Sequence, residues 1–284
     1  MANAGFISAE PNNALVCVVD RVRRPPGFDA IGRHHHSFYE MLYYTDGHLT
    51  MFIKDRSYQL GTGDLILINM LDMHSSTYPP DRTTERVMVR FNSGFLRNVL
   101  GDALETATIL GRFKSDDNVI HLAGPERGQL EGILDRMLRE SQSQARDSVI
   151  LSRLYLGELL VMIGRLSKDL FHTDRAAMTV TESTVSSIAA YIRANHADDL
   201  SLTSLAERFC MSRCYLARLF KKHSGFTVVQ YINLVRVSEA ARLLAPSVRV
   251  SDVAMQVGFS NLSHFGKVFR KCMGTSPRRY RSNG

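Results

Sequence analysis

Four side chains in the first third of the chain have types and spacings that suit ligand binding. His34, His36 and Glu40 follow the pattern H-x-H-x-x-x-E, and His74 comes after a later apolar stretch. Alternate residues of a strand point to one side, so His34 and His36 would face the same pocket. Three imidazoles and a carboxylate suit a divalent transition metal, and they also suit a metal-free pocket for a small molecule. We favour the metal-free interpretation and predict no metal and no cofactor.

A second set of candidate residues lies near the carboxyl end, where one pattern occurs twice. Residues 201–225 read SLTSLAERFCMSRCYLARLFKKHSG, and residues 249–274 read RVSDVAMQVGFSNLSHFGKVFRKCMG. A small residue, a turn, an apolar triad and a closing glycine recur in the same order, which predicts two helix–turn–helix units. The corresponding pairs are Ala206 and Ala254, Ser212 and Ser260, then, after one inserted residue, Leu216 and Phe265, Phe220 and Phe269, Lys222 and Lys271, and Gly225 and Gly274.

Each predicted unit presents one helical face to a partner. Leu216, Leu219 and Phe220 must face the core, which leaves short and basic residues on the opposite side of that helix. A shift of 49 residues gives the same division in the second copy, behind an equivalent apolar triad of Phe265, Val268 and Phe269. The predicted partner-facing residues are Arg213, Cys214, Ala217, Arg218, Lys221, Lys222, Ser263, His264, Gly266, Lys267, Arg270 and Lys271.

These residue types are suited to the major groove of double-stranded DNA. Arg218 and Lys267 can reach guanine O6 and N7, and Ser263 and His264 can bond base edges. Cys214 and Ala217 would allow close approach and contact thymine methyl groups, whereas the remaining basic residues would meet phosphates. A solvated basic surface is the alternative for any one of these cations.

The charge of the chain is concentrated on the same segment. The whole chain carries a net charge of +7, but residues 201–284 carry +11 and residues 1–200 carry −4. A basic domain joined to a mildly acidic one indicates a polyanionic partner at one end only. The four cysteines lack C-x-x-C spacing, no leader opens the chain, and no apolar run reaches the ~20 residues that span a bilayer. We therefore expect a cytoplasmic protein without a membrane partner.

The elements that must position the histidine group are short strands. Candidate strands cover residues 15–19, 40–44, 49–53, 57–60, 64–68 and 86–91, and Asp46-Gly47 is a hairpin signal. This pattern predicts a small barrel or jelly roll, whose mouth commonly holds a ligand. The histidine spacing resembles the two cupin motifs, the first ending in Glu40 and Gly47 and the second running from Gly63 to His74. Asn69 and Leu71 depart from the second motif, which weakens the case for a catalytic metal.

Two helices and a linker separate the predicted barrel from the basic domain. Residues 126–140 place Leu130, Ile133, Leu134, Met137 and Leu138 on one face, and residues 111–123 are expected to be irregular. The second helix, within residues 147–170, is apolar around much of its circumference, so either the monomer or a second subunit must cover it. The predicted domains are 1–172 (barrel about 12–92, helix pair about 125–170), a linker at 173–183, and 184–284.

The spacing of the two units depends on the segment between them. Residues 227–244 form a helical run that ends before Pro246, and a helix of that length spans roughly 27 Å. Recognition helices at its two ends could enter successive major grooves, about 34 Å apart on one face of the duplex. A stiff spacer requires the DNA to bend to accommodate any mismatch.

The carboxyl third resembles the DNA-binding domain of the AraC/XylS family of bacterial transcription regulators. The resemblance rests on Leu205-Ala206, Met211-Ser212, Leu219-Phe220-Lys221-Lys222, Gly225, Ala254, Gly258-Phe259-Ser260, Phe265, Phe269-Arg270-Lys271, and Gly274 to Arg281. It implies an α+β protein with a cupin-like sensor that binds a small-molecule effector through His34, His36, Glu40 and His74. It also implies contact with RNA polymerase, more often for activation than for repression. The apolar second helix adds the expectation of a homodimer. Arg249 departs from the pattern, because it replaces the helix-capping serine of the first unit, Ser201.

Two other functions are compatible with the sequence. A metal-dependent cupin enzyme fused to a targeting domain would use His34, His36, Glu40 and His74 as ligands, and bound metal would favour it. An architectural DNA binder would need no effector. The doubled DNA-facing pattern favours a regulator without enzymatic activity, because sequence-selective DNA reading contributes little to turnover of a small molecule.

Overall fold

The computed structural model describes residues 17–28, 38–70, 72–92, 95, 110–115, 118–143, 145–166 and 179–283. The strands are β1 Cys17–Arg24, β2 Tyr39–Asp46, β3 Leu49–Ile53, β4 Arg56–Leu60, β5 Asp64–Ile68, β6 His74–Thr77, β7 Thr84–Phe91 and β8 Val119–His121. The main helices are α1 Gly124–Gln142, α2 Ser148–Arg165, α3 Val180–Ala194, α4 Leu202–Arg208, α5 Arg213–Ser224, α6 Val228–Leu243, α7 Val250–Gln256, α8 Leu262–Met273 and α9 Pro277–Asn283. None of the described helices combines the length and apolar character that crossing a bilayer requires.

The strands form two antiparallel sheets, one with the order β1-β7-β2-β5-β8 and the other with the order β4-β3-β6. Side chains alternate between the two faces of each sheet, so each sheet has one face toward the other. Between the sheets lies an apolar cluster that takes residues from both of them. Its members include Leu42, Tyr44, Ile66 and Ile68 from the larger sheet and Leu49, Met51, Ile53, Tyr58 and Leu60 from the smaller one.

The other face of the larger sheet packs against α1 and α2. The five apolar residues predicted to share one face of the first helix are all buried there. Burial of each such side chain contributes about 1.5–3 kcal/mol. Helix α2 packs on α1 after a short connection and buries Leu156, Leu159, Leu160 and Ile163. The predicted continuation of this helix to residue 170 lies partly outside the described residues, which resume at residue 179.

The sheet region differs from the sequence-based expectation in four respects. The described strands form two facing sheets, as the jelly-roll alternative predicts, rather than one continuously hydrogen-bonded barrel. Asp46-Gly47 is not a hairpin turn, because β2 and β3 belong to different sheets. Residues 119–121, expected to be irregular, form β8 by pairing with Asp64–Ile66. The short strand β6 pairs with β3 and was not predicted, because its sequence, HSST, lacks an apolar pattern.

The carboxyl domain is helical and begins earlier than predicted. Helix α3 starts at Val180, inside the stretch expected to be linker, because Thr179 and Glu182 form a capping box at its first turn. Residues 173–178 of the predicted linker lie outside the described residues. Two core clusters follow, one around Phe220 and Tyr231 and the other around Phe265 and Phe269. Each helix–turn–helix unit therefore has its own core, as two copies of one pattern require.

Candidate DNA-binding surface and effector pocket

In the first unit, burial of one helical face fixes which residues are exposed. The Ser212 hydroxyl accepts a hydrogen bond from the Tyr215 amide at 3.2 Å, so α5 begins directly after the turn. Leu216, Leu219 and Phe220 are buried, as the repeat predicts. The opposite side carries the predicted partner-facing residues. Arg213, Cys214, Arg218, Lys221 and Lys222 are exposed, and Ala217 is half-buried.

The second unit repeats this arrangement on α8. Phe265 and Phe269 are fully buried, and Val268 packs at the edge of the same core. Its cap is Asn261, whose side chain accepts from the His264 amide at 2.9 Å, rather than Ser260. The second copy has one residue more than the first, and this residue lies in the turn. The cap of α8 therefore stands one position later than the repeat predicts. Ser263, His264, Lys267, Arg270 and Lys271 are exposed, and Gly266 is half-buried.

The turns of the two units have matching backbones. Cys210 and Gly258 both have positive φ, at 53° and 92° respectively. In each turn the following amide donates to the carbonyl of an alanine in the preceding helix, Ala206 or Ala254, at 2.8 and 2.9 Å. Helices α5 and α8 have 12 residues each and end at Gly225 and Gly274 in the left-handed region. The repeat inferred from sequence is therefore a repeat of backbone geometry.

A compact junction joins the two units. Arg236 on α6 donates from Nε to the His196 carbonyl and from Nη2 to the Asp198 carbonyl, each at 2.8 Å. Its guanidinium lies 5.6 Å from the Phe259 ring centroid. A Cβ on Gly258 would stand 2.8 Å from the His196 carbonyl oxygen. The turn of the second unit thus rests directly on the α3–α4 loop of the first, and α6, at 16 residues or about 24 Å, links them.

Helix α7 begins without a side-chain cap, as the departure at Arg249 predicts. The Arg249 side chain makes no capping hydrogen bond and instead pairs with Asp252, with Nε and Oδ2 2.8 Å apart. Asp252 in the first turn also interacts favourably with the helix dipole. The helix still has seven residues, the same as α4, so the second unit keeps its shape.

In the amino-terminal domain, the fold brings together two of the four predicted effector residues. His74 on β6 and Glu40 on β2 meet between the sheets, with Nε2 and Oε2 3.4 Å apart and both side chains 4% exposed. The His74 Nδ1 atom lies 3.0 Å from the Asp72 carbonyl oxygen, which favours a hydrogen on Nδ1. His34 and His36 lie outside the described residues, so their predicted contribution is untested. Within the described ranges no three His, Cys, Asp or Glu side chains form a group that could hold a metal.

Both halves of the chain match profiles of known protein families. The AraC-like ligand binding domain profile matches residues 21–160, and a helix-turn-helix domain profile matches residues 205–283. The chain belongs to the AraC/XylS family of transcriptional regulators. Among similar curated proteins are the activator RhaS of Escherichia fergusonii, 26% identical over 94% of this chain and 92% of its own length, and the activator RhaR of Escherichia coli O139:H28, 23% identical over 94% and 91%.

Solved structures of similar proteins include ToxT from Vibrio cholerae. It is 14% identical and covers 94% of this chain and 98% of its own, with a TM-score of 0.38. The carboxyl-terminal domain of AraT from Geobacillus stearothermophilus is 29% identical over 38% of this chain and 89% of its own, with a TM-score of 0.36.

In this AraC-family regulator, the smaller sheet contacts the first DNA-binding unit directly. Phe52 and Met73 belong to the same core cluster as Phe220 and Tyr231. The Tyr231 hydroxyl donates to the Lys54 carbonyl oxygen at 2.7 Å, and burial raises the pKa of this tyrosine. We call this contact surface the interdomain seam.

Two polar contacts complete the seam. Arg193 on α3 pairs with Asp55 in the β3–β4 turn, with Nη1 and Oδ2 2.9 Å apart. Ser75 on β6 donates to the Ser224 carbonyl oxygen, at the end of recognition helix α5, at 2.9 Å. Ser75 is the immediate neighbour of His74, and successive strand residues point to opposite faces. Strand β6 therefore has the Glu40–His74 pair on one face and the carboxyl end of α5 on the other.

Proposed function

We propose that this protein is a dimeric transcriptional activator that binds promoter DNA with both helix–turn–helix units and responds to a small-molecule effector. The observation that carries the proposal is the pair of matching exposed faces on α5 and α8, held by the Arg236 junction. We propose that it acts in the cytoplasm, where the DNA of a bacterial cell lies. The relatives named above are activators, which supports activation through contact with RNA polymerase. The Glu40–His74 pair is assigned to effector binding rather than to catalysis.

Base reading is assigned to the centre of each exposed face. Arg218 and Lys267 occupy the same position of their helices and would bond guanine O6 and N7. Ser263 and His264 would reach base edges, and Cys214 and Ala217 permit close approach. The basic residues toward the ends of the helices would contact phosphates, which supplies affinity and salt dependence.

Replacement of Arg218 with alanine is expected to relax base choice in one half of the site and to weaken specific binding by about 1–3 kcal/mol. Arg218 is exposed and makes no described contact that maintains the fold, so the free energy of unfolding should not change. Footprinting and binding titrations on the specific site and on scrambled DNA measure the effect. Lys271→Ala is the matched control, because loss of a phosphate contact should weaken all sequences similarly and reduce the salt slope by about one. An unchanged footprint in Arg218→Ala would remove this residue from the reading face.

The proposed dimer uses an apolar stripe on α2. Ile150, Leu154 and Val161 are 58%, 62% and 37% exposed. Their spacings of four and seven residues place them on one side of the helix, as in a helix–helix interface between subunits. The opposite side of α2 is already buried against α1 and the larger sheet, so a second copy of this chain is the proposed cover.

Leu154→Glu is expected to convert the dimer to a monomer without unfolding the domain, because this side chain is mostly exposed within the chain. Sedimentation equilibrium at several concentrations measures the change. Val180→Glu is the matched control, since it also replaces an exposed apolar residue, 85% exposed, on a helix outside this surface. A wild-type protein that is monomeric at all concentrations, or a dimer that tolerates Leu154→Glu, would refute the assignment of α2.

A further inference from the structure

Three arginines line one face of the larger sheet. Arg24 lies opposite Thr84 across β1 and β7, and Arg86 lies opposite Val22. Directly opposed residues, and residues two apart, point to the same face. Arg90, four residues beyond Arg86, therefore shares this face too. It is the face of Tyr44, which lies opposite Arg86, and it is turned toward the smaller sheet.

The three guanidinium groups differ in their partners. Arg90 pairs with Asp20, with Nη2 and Oδ2 3.1 Å apart. Within the described part of the chain neither Arg24 nor Arg86 forms an ion pair with a carboxylate. Arg86 donates from Nη1 to the Tyr44 hydroxyl at 3.1 Å. The Nε atoms of Arg24, Arg86 and Arg90 are buried without a hydrogen-bond partner.

Aromatic rings connect Arg24 to Arg86. The Arg24 guanidinium lies 4.3 Å from the Phe28 ring centroid, and Phe28 packs edge-on against Tyr78 with centroids 5.5 Å apart. Tyr78 is in turn close enough to Arg86 for electrostatic interaction. The two guanidinium groups that lack carboxylate partners therefore border one aromatic surface.

The chemistry of these arginines indicates which kind of ligand would bind them. A buried N–H group without an acceptor is costly, and two cations on one face repel each other. A guanidinium presents a planar fork of donors that matches a carboxylate, and an aromatic surface beside it accommodates an apolar body. Glu40 lies on the same face of the sheet, directly opposite Arg90, so an acidic side chain is already present in this region. A ligand with a single negative charge is favoured over a dianion such as phosphate.

We propose that the effector is an organic monocarboxylate, whose carboxylate binds Arg24 and Arg86 and whose apolar body lies against Phe28 and Tyr78. This inference rests on the proposed function, because it names the ligand class of the sensor domain. It adds two arginines on the sheet face that also carries Glu40. Arg90, already paired with Asp20, lies outside the site.

The test is a binding titration of the full-length protein with carboxylates of different body shape, each paired with its neutral amide: benzoate, cinnamate and hexanoate with benzamide, cinnamamide and hexanamide. At least one carboxylate is expected to bind at least 10-fold more tightly than its amide and than inorganic phosphate. Arg24→Gln and Arg86→Gln should each weaken that binding about 10-fold, since each removes one charge-assisted contact. Arg90→Gln is the control and should change the affinity less than about threefold.

Several outcomes would overturn the proposal. These are equal binding of a carboxylate and its amide, no binding of any of the three carboxylates, or tight binding that survives both Arg24→Gln and Arg86→Gln. Circular dichroism of each variant establishes folding, and if Arg86→Gln unfolds, Arg24→Gln at the end of β1 carries the test. Footprinting of the wild-type protein runs in parallel. Specific DNA binding with any of these negative results would leave the proposed function intact, whereas absence of specific DNA binding would refute the function itself.

Discussion

Replacement of Gly258 with alanine is expected to lower the free energy of unfolding of the DNA-binding domain by about 2–5 kcal/mol. Gly258 has φ +92°, a region in which a Cβ is strained by roughly 1–2 kcal/mol. The new Cβ would also stand 2.8 and 2.9 Å from the carbonyl oxygens of His196 and Ala197. These are backbone atoms, so the α3–α4 loop of the first unit must move away, and overpacking of this kind typically costs 1–3 kcal/mol.

The effect on DNA binding should exceed the effect on stability alone. The His196 and Asp198 carbonyls that accept from Arg236 belong to the loop that must move. Once these contacts are lost, the two recognition helices no longer have a fixed separation, and a site that spans two major grooves cannot be bound by both. We expect one half of the footprint to disappear at temperatures where the variant remains folded. Urea unfolding and footprinting on the same preparation measure the two effects separately.

Gly128→Ala is the matched control for this substitution. Gly128 is an exposed residue of α1, and nothing lies within 4 Å of a Cβ added there. Alanine is the better helix former by about 0.8–1 kcal/mol, so this variant should be as stable as the wild type or slightly more stable. If Gly258→Ala behaved like Gly128→Ala in both stability and footprint, the junction would not determine the spacing of the two units.

Local patterns explain why the carboxyl domain could be predicted in detail. The helical period alone separates Leu216 and Phe220 from Arg218, and the structure confirms that division. Capping is also local, as Ser212 shows. The shift of the second cap from Ser260 to Asn261 could be located only approximately, because an inserted residue within a turn can be absorbed at more than one position.

Long-range pairing explains what the sequence could not predict. Strand β6 is short and polar, and only its pairing with β3 makes it a strand. The contact between Tyr231 and Lys54 joins residues 177 positions apart, and no local pattern marks it. Arg24 and Arg86 have the right alternation for one sheet face, but their common site depends on the β1–β7 register. Residue type singles out Glu40 and His74, but only the packing of the two sheets brings their side chains together.

Lys54 lies at the interdomain seam, and its amide, carbonyl and ammonium groups all make polar contacts. The Lys54 amide donates to the Met73 carbonyl at 2.8 Å, and the Lys54 carbonyl accepts from Tyr231. Its ammonium group donates to the Ser115 carbonyl at 2.7 Å and pairs with Asp72, with Nζ and Oδ2 3.4 Å apart. Both side chains of this ion pair are about one-tenth exposed. Removal of one partner from such a pair leaves the other charge buried and uncompensated.

Lys54→Met is therefore expected to lower the free energy of unfolding by about 3–5 kcal/mol at neutral pH. Methionine has a similar length and should keep the same backbone conformation with positive φ, so the change isolates the charge. Burial already raises the pKa of Asp72 above its ordinary value of 3.8, while the charge of Lys54 lowers it. Without Lys54 the pKa of Asp72 rises further. Urea unfolding at a series of pH values measures the loss.

The pH dependence of this loss identifies its cause. A carboxyl group whose pKa is raised in the folded state binds protons more tightly there than in the unfolded chain. Stability therefore falls as the pH rises from the ordinary value through the raised one. The loss in free energy of unfolding caused by Lys54→Met should be smallest near pH 4 and should be complete at neutral pH. The double variant Lys54→Met, Asp72→Asn has no buried charge at this position, so it should recover most of the lost stability and show little of this pH dependence. A deficit that is equal at all pH values, or that persists unchanged in the double variant, would show that Lys54 acts through packing rather than through its pairing with Asp72.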